Sequence, residues 1–319
     1  MRIVFHGRNA ATFHDGLSAR LDIDAELICL PDELADEGDR HAYSRADVVV
    51  ATRLTGDQPQ PSGARLFQVA GAGIDAVDRS LLPETATLCN CYGHDVPIAE
   101  YVLGALLTSQ IPYFQADHQL RRGDWTFQSG NRFHGELAGR TLGILGFGHI
   151  GRAIARVVRP LGVTIHAANR SPVNDPLVDA AYSLDALTDF YRGIDDLVVA
   201  LPQTPATQGL VADAAFDALP AHARVINVGR GEVINAEALY RALSRKRIAG
   251  AVIDTWYRYP DADKPTPLPA EQPFHELDNL IMTPHMSGWT QGTIERRKDA
   301  IADNINRLAA GRELLNVIL

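Results

Sequence analysis

The chain has 319 residues, 46% of them hydrophobic, with 30 Lys and Arg against 39 Asp and Glu, for a formal net charge of -9. That length exceeds the size at which one core usually divides, so two domains are expected, each with enough apolar material for its own core. The acidic balance leaves no basic face for nucleic acid, no run of about 18 apolar residues is present to span a membrane, and three cysteines without framework spacing suit a reducing compartment. Residues 1–7 are too short an apolar start for a secretory leader, so a cytoplasmic location is expected. Cys89 and Cys91 lie in a short apolar segment with no His or Cys pair at zinc spacing, and read as buried strand cysteines rather than metal ligands.

In chain order, residues 2–5, 25–30, 46–51, 66–69 and 87–90 read as five short strands, with helical patterns between them such as residues 13–21. Strands alternating with helices predict a doubly wound parallel sheet. Strand four runs into Ala70, Gly71, Ala72 and Gly73. In such sheets ligands bind beyond the carboxyl ends of the strands. Read from the residues alone, this loop either presents backbone N–H groups to a carboxylate or is a simple turn. Arg53, after strand three, is either a second anion contact or a surface residue.

Pro97 suits the first turn of a helix, and Ile98, Val102, Leu103, Leu106 and Leu107 give that helix an apolar stripe. A second domain is therefore expected over residues 97–287, with residues 1–96 and 288–319 forming the first. Residues 113–140 are polar but carry Tyr113, Phe114, Trp125, Phe127 and Phe133, a composition that suits a protein-facing arm and a dimer contact.

Residues 141–156 carry the most specific local signal. An apolar strand ends at Gly146, Gly148 and Gly151 complete G-x-G-x-x-G, and a helical stretch follows. Strand, glycine turn and helix together indicate dinucleotide binding. Gly146 makes the turn, Gly148 admits the pyrophosphate, Gly151 lets helix and strand pack closely, and the amides around His149 and Ile150 face the phosphates. The next strand, residues 162–168, leads into Asn169, Arg170 and Ser171. An NAD-selective site usually places Asp or Glu there for the ribose 2′-OH. Arg170 instead suits a 2′-phosphate, with Ser171 adding a hydrogen bond. NADP(H) is thus expected over NAD(H), unless Arg170 stacks on the adenine or lies in water.

Four more strands end at Leu201 and Pro202, at Val228 and Gly229, at Asp254, and at Thr283 to His285. These ends are expected to line one cofactor cleft. A long helix over residues 290–310 closes the chain, its apolar side formed by Ile294, Ala300, Ile301, Ile305 and Leu308. The basic run within residues 295–298 reads as a solvated helix face.

From Val69 to His285 these motifs resemble, in order, those of the D-2-hydroxyacid dehydrogenase family. Residues 69–75 are similar to its substrate-carboxylate loop, residues 98–102 to its interdomain helix, residues 122–125 and 135–139 to the arm before the glycine motif. Residues 226–231 are similar to the segment with its catalytic arginine, and residues 283–285 to the segment with its catalytic histidine. The resemblance implies two doubly wound α/β domains, a flavodoxin-like substrate domain and a Rossmann cofactor domain, with a cleft between. It also implies a homodimer built through the cofactor domain.

It further implies that His285 is the acid/base, also beside the cofactor, that Arg230 binds and polarises the substrate, and that Asp254 lies near the nicotinamide carboxamide. Read without the family, His285 is a structural histidine as readily as a catalytic one, Arg230 a turn cap, and Asp254 a helix N-cap. Hydride delivery to a 2-keto acid leaves charge on the carbonyl oxygen, which an imidazolium and a forked guanidinium both stabilise.

One position departs from the pattern. The family's histidine usually pairs with a Glu, and Tyr259 stands in its place, a partner that hydrogen-bonds but supplies no charge. Formate dehydrogenases of the superfamily have Gln there and remain enzymes, but carry Asn in the region of His94. The expected activity is reduction of a small 2-keto acid, glyoxylate- or hydroxypyruvate-like, by NADP(H). The alternatives are a dehydrogenase of an atypical acid and a non-catalytic dinucleotide sensor.

Overall fold

Valine- and isoleucine-rich runs in the middle of each sheet become strands buried on both faces, because branched side chains pack well on a pleated surface covered from both sides. The computed structural model describes residues 1–261 and 264–318. It divides into two units, one of Met1–His94 with Trp289–Leu319, the other Asp95–Gly288.

In the first unit the strands are β1 (Arg2–His6), β2 (Glu26–Leu30), β3 (Val48–Ala51), β4 (Leu66–Val69) and β5 (Thr87–Cys89). All pair in parallel, in the order β2-β1-β3-β4-β5. The period-two alternation sorts the side chains. Ile3, Phe5, Val48 and Val50 join one core, into which the Gln291–Ala309 helix sends Ile294, Ile301 and Ile305. Val4, Val49, Ala51 and Phe67 join the opposite one with Tyr43 and Leu88. Ile301 and Ile305 are fully buried, worth about 1.5–3 kcal/mol each.

Two expectations for this unit are corrected. Residues 13–21 do not form an α-helix: a short helix Arg8–Ala11 is followed by turns and the 3-10 helix Ser18–Arg20. Gly16, at φ +77°, reverses the backbone in mid-segment, while Phe13 and Leu17 are buried all the same. The basic run at residues 295–298 is a solvated face only in part: Arg296 is exposed, but the two residues after it are not. Arg297 and Lys298 are only 9% and 8% exposed, because they share the helical phase of Ile294 and Ile301.

The second unit contains β6 (Thr141–Leu145), β7 (Thr164–Asn169), β8 (Ala180–Ser183), β9 (Asp196–Val199), β10 (Arg224–Asn227), β11 (Gly250–Ile253) and β12 (Leu280–Met282). Their order is β12-β11-β10-β9-β6-β7-β8, all parallel, so every carboxyl end lies on one edge. Sequence reasoning missed β8, a half-exposed edge strand whose four residues carry little apolar signal. The chain winds outward from β6 through β7 to β8, then returns to β9 on the other side of β6. That reversal opens the crevice in which such sheets bind ligands. The Asp95–Gln110 helix begins two residues before the expected Pro97 and lays Ile98, Val102 and Leu106 against Ile154 and Val158 of the His149–Val158 helix.

Candidate functional site

The glycine turn sits at that reversal. Gly146 has φ +102°, and a Cβ there would lie 2.8 Å from the Ala200 carbonyl carbon. A Cβ on Gly151 would lie 2.6 Å from the Gly146 oxygen. Neither position admits a side chain. A Cβ on Gly148, by contrast, would meet nothing within 4 Å. Gly148 is also the N-cap of the His149–Val158 helix, and no side chain caps that end. Open space beside uncapped helix amides is what a dinucleotide pyrophosphate requires, and Ile150 lies in that first turn. These residues fit the expected cofactor.

Asn169 ties the turn after β7 to the glycine loop. Its Oδ1 accepts from the Phe147 amide at 3.4 Å, and its Nδ2 donates to the Ser171 carbonyl at 3.1 Å. Arg170 and Ser171 are exposed beside it. The next acid along the chain, Asp175, faces Arg152 at 3.5 Å. No carboxylate occupies the turn itself.

Across the crevice Leu201 is buried, and the Pro202 carbonyl accepts from the Thr207 hydroxyl at 2.7 Å. Val228 donates its amide to Val199 at 3.1 Å, and a Cβ on Gly229 would lie 2.6 Å from the Leu201 oxygen. Asn227 clamps the following turn: its Oδ1 accepts from the Gly229 amide at 3.1 Å and its Nδ2 donates to the Arg230 carbonyl at 3.0 Å. A Cβ on Gly231 would lie 2.3 Å from the Trp256 oxygen. Arg230 is thus fixed on a turn pressed against the loop after β11.

That loop is joined to the loop after β12 by three residues. Asp254 is fully buried. Its Oδ1 accepts from the Thr283 hydroxyl at 2.5 Å and the Met286 amide at 2.9 Å, and its Oδ2 from the Ser287 amide at 2.9 Å. Trp256 donates its indole N–H to the Thr283 carbonyl at 2.8 Å. The Tyr259 hydroxyl stands 2.9 Å from His285 Nδ1. His285 itself lies between residues that Asp254 holds, in the left-handed region at φ +58°. Such a conformation in a non-glycine residue costs about 1–3 kcal/mol and persists where its surroundings enforce it. The N-cap reading of Asp254 is thereby replaced: its carboxylate orders the histidine loop.

The amide of Trp256 donates to the Tyr259 oxygen at 3.0 Å. The phenolic proton is then free to go to Nδ1 of a neutral imidazole, leaving the N–H on Nε2. An imidazolium would need the phenol to turn its proton away. The His285 pKa is lowered from its ordinary value, first by partial loss of water around the ring, then by the Arg230 charge, while Asp254 opposes the shift. Withdrawal from water raises that of Tyr259, which therefore stays a neutral phenol.

In the first unit, Ala70 is buried and Gly71, Ala72 and Gly73 follow β4 as a half-buried loop. Gly71 accepts from the Cys91 amide at 3.1 Å, and Ala72 from Asn90 Nδ2 at 2.8 Å. Among the described residues the amides of Gly71, Ala72 and Gly73 donate to no protein acceptor. Arg53 pairs with Asp57 at 3.4 Å, so its charge has a partner within the unit. Cys89 and Cys91 are buried, and no cluster of metal-ligating side chains occurs among the described residues. No helix among them is long and apolar enough to cross a membrane.

Residues 103–287 match the family model described as D-isomer specific 2-hydroxyacid dehydrogenase, NAD binding domain. The chain is 31% identical to the D-3-phosphoglycerate dehydrogenase of Rattus norvegicus over 84% of its own length and 49% of that protein. It is 30% identical to the glyoxylate reductase of Thermococcus kodakarensis, over 76% of this chain and 72% of that one. A D-isomer specific 2-hydroxyacid dehydrogenase from Xanthobacter autotrophicus Py2, solved in complex with NADPH and MES, superposes with a TM-score of 0.81 at 26% identity, covering 100% of this chain and 97% of that one. The chain spans about half the length of the phosphoglycerate dehydrogenases it matches.

Proposed function

We propose that this chain, which belongs to the D-isomer specific 2-hydroxyacid dehydrogenase family, transfers a hydride between NADP(H) and a small 2-keto or 2-hydroxy acid, glyoxylate- or hydroxypyruvate-like. The observation that carries the reading is His285, with Nδ1 engaged by Tyr259 and with Arg230 close enough to depress its protonation. When bound, the nicotinamide supplies or accepts the hydride at substrate C2. The chain's residues do the rest. His285 gives a proton to the carbonyl oxygen during reduction and takes it back during oxidation. Arg230 binds the carboxylate and stabilises charge growing on that oxygen. Asp254 keeps the histidine loop in register. Gly146, Gly148 and the amides at His149 and Ile150 take the pyrophosphate, and Arg170 with Ser171 takes the 2′-phosphate. Leu201, Pro202, Val228 and Gly229 border the nicotinamide half. Ala70 to Gly73 and Arg53 are assigned to the substrate.

The preference for NADP(H) rests on Arg170 and on the missing carboxylate after β7. A homodimer through residues 113–140 is supported by Phe114, Trp125 and Phe133, which are 78%, 61% and 95% exposed. Light scattering of the purified chain tests that state.

The deciding experiment is a turnover panel of 2-keto acids, glyoxylate and hydroxypyruvate first, each with NADPH and NADH, beside fluorescence titration of both nucleotides. Turnover with NADPH favoured is the expected result. Binding of either nucleotide with no turnover across the panel would replace the enzyme reading with a dinucleotide sensor.

A further inference from the structure

A hydroxyl carries one proton and two lone pairs, and a carboxylate only accepts, so a chain of such groups has a definite direction. Asp254 is fully buried, and the Thr283 hydroxyl lies 2.5 Å from its Oδ1. The single Thr283 proton is therefore committed to that charge. The Tyr101 oxygen lies 2.7 Å from the same Thr283 oxygen, so Tyr101 is the donor between them. Its phenol keeps its proton: burial raises its pKa, against the Thr283 hydrogen bond and together with the Asp254 charge. The order is Tyr101 to Thr283 to Asp254, all within the second unit.

Packing alone does not call for that hydroxyl. Tyr101 stands on the Asp95–Gln110 helix, and its ring packs against the core that Ile98, Val102 and Leu106 share with Ile154 and Val158. A phenylalanine would fill the same space. Thr283 in turn is held at every polar group, its amide donating to the Ile253 carbonyl at 3.0 Å and its carbonyl accepting from Trp256 at 2.8 Å. It opens the segment in which His285 keeps φ +58° and in which the Met286 and Ser287 amides each donate to Asp254 at 2.9 Å. Among the described residues the titratable and charged groups that face His285 are the Tyr259 phenol, Asp254 and Arg230. Asp254 is the one that Tyr101 reaches.

We propose that Tyr101 is a positioning residue for His285, acting through Thr283 on the Asp254 carboxylate. This deepens the hydride-transfer reading above and rests on it. Aligned hydrogen bonds polarise one another, by about 10–30% per bond. Donation from Tyr101 makes the Thr283 proton a stronger donor, which takes up more of the Asp254 charge. Without the phenol more of that charge is felt at the imidazole. Asp254 favours the protonated ring, so loss of the Tyr101 hydroxyl raises the His285 pKa. Mere loosening of the loop from Asp254 would lower it.

The test is a proton NMR titration of the histidine ring signals in the full chain, with His285 assigned by His285→Gln. It reads the imidazole without turnover, and the pH dependence of kcat/KM for glyoxylate reduction is measured beside it. Tyr101→Phe is expected to raise the His285 midpoint and the falling limb of reduction together, by about 0.3 pH unit or more. Thr283→Val should move both the same way, and Thr283→Ser should keep the wild-type values. In the Thr283→Val background Tyr101→Phe should move them no further, because the path is already cut. An unchanged midpoint in Tyr101→Phe, a shift to lower pH, or an equal shift in both backgrounds overturns the proposal. A merely structural tyrosine would lower Tm on replacement and leave the titration where it was. Should Tyr101→Phe not fold, fluorotyrosine placed at position 101 alone decides: its more acidic hydroxyl donates more strongly and must lower the midpoint. If wild type reduces no 2-keto acid while the midpoints move as expected, the relay stands and the hydride-transfer reading falls. If it reduces them and Tyr101→Phe titrates as wild type does, the inference alone falls.

Discussion

The phenol oxygen of Tyr259 lies 2.9 Å from Nδ1 of His285 and takes the Trp256 amide proton at 3.0 Å. A carboxylate in that place would stabilise the imidazolium; a phenol donating to Nδ1 stabilises the neutral ring. With loss of water as the largest cause, the native His285 pKa lies below its ordinary 6.5. The protonated fraction is therefore lost as pH rises through a value on the acid side of neutrality. For ketone reduction, kcat/KM is expected to fall over that range, while oxidation, which needs the neutral ring, holds at lower pH than a Glu-paired histidine would allow. Tyr259→Glu should move the falling limb to higher pH. Superimposable pH profiles for the two proteins would show that Tyr259 does not set the titration.

Asp254 is buried beneath the histidine loop and accepts three hydrogen bonds from it. In Asp254→Ala the Met286 and Ser287 amides lose their acceptor and the Thr283 hydroxyl keeps only Tyr101 as a partner, an unmet buried group costing about 1–3 kcal/mol. A loss of at least about 2 kcal/mol in urea unfolding is expected. Asp254 also opposes the lowering of the His285 pKa, so the variant's reduction limb should move further to the acid side. A stable variant with an unchanged pH profile would remove both roles from Asp254.

Arg170 is exposed at the turn after β7, next to the strand-end Asn169. A charge-assisted bond to a phosphate contributes about 1.5–3 kcal/mol, so Arg170→Ala should shift the NADPH-to-NADH ratio of kcat/KM toward NADH by roughly 10- to 100-fold. Arg170→Asp should shift it further, by repelling the 2′-phosphate. Equal ratios in wild type and Arg170→Ala would assign 2′-phosphate recognition elsewhere.

Asp196, at the start of β9, is 2% exposed, and Arg140 donates to it from 2.8 Å. Burial raises the Asp196 pKa against the pull of Arg140. Arg140→Met takes away the hydrogen-bonded partner of that carboxylate and leaves it only the charge of Arg224 on β10, so a loss of up to about 3 kcal/mol in unfolding free energy is expected. Arg140→Met paired with Asp196→Leu should recover only part of it, since the half-buried Arg224 opposite Asp196 on β10 then loses its own counter-charge. Chemical denaturation of the single and double variants measures both values.

The glycine turn, the parallel strands and the helix Gln291–Ala309 were legible in the chain because each depends on neighbours in sequence. An apolar run bounded by Gly146 specifies a strand and its turn through local backbone sterics, wherever the strand comes to lie. Asn169 to Ser171 were legible for the same reason: they follow their strand directly. Residues 13–21 misled because Phe13 and Leu17 have helical spacing, while Gly16 between them took a left-handed conformation. The edge strand Ala180–Ser183 has too little apolar contrast to announce itself.

Arg297 shows where local reading stops. Its neighbours in sequence are Arg296 and Lys298, a run that resembles a wet helix face. A signal was present, in that positions 294, 297 and 301 share one helical phase, but phase alone does not say what covers the face. That was decided by β4 and the Gly71 loop, more than 200 residues away in the chain. The same holds for His285. The sequence by itself determined which residue types stand at each strand end, since strands and turns are short-range structures. The tertiary structure alone decided that a buried carboxylate, Asp254, holds the histidine loop from below, that a phenol meets Nδ1, and that the Arg297 guanidinium has no counter-ion among the described residues. Those outcomes depend on distance and on the exclusion of water, which packing between distant segments creates.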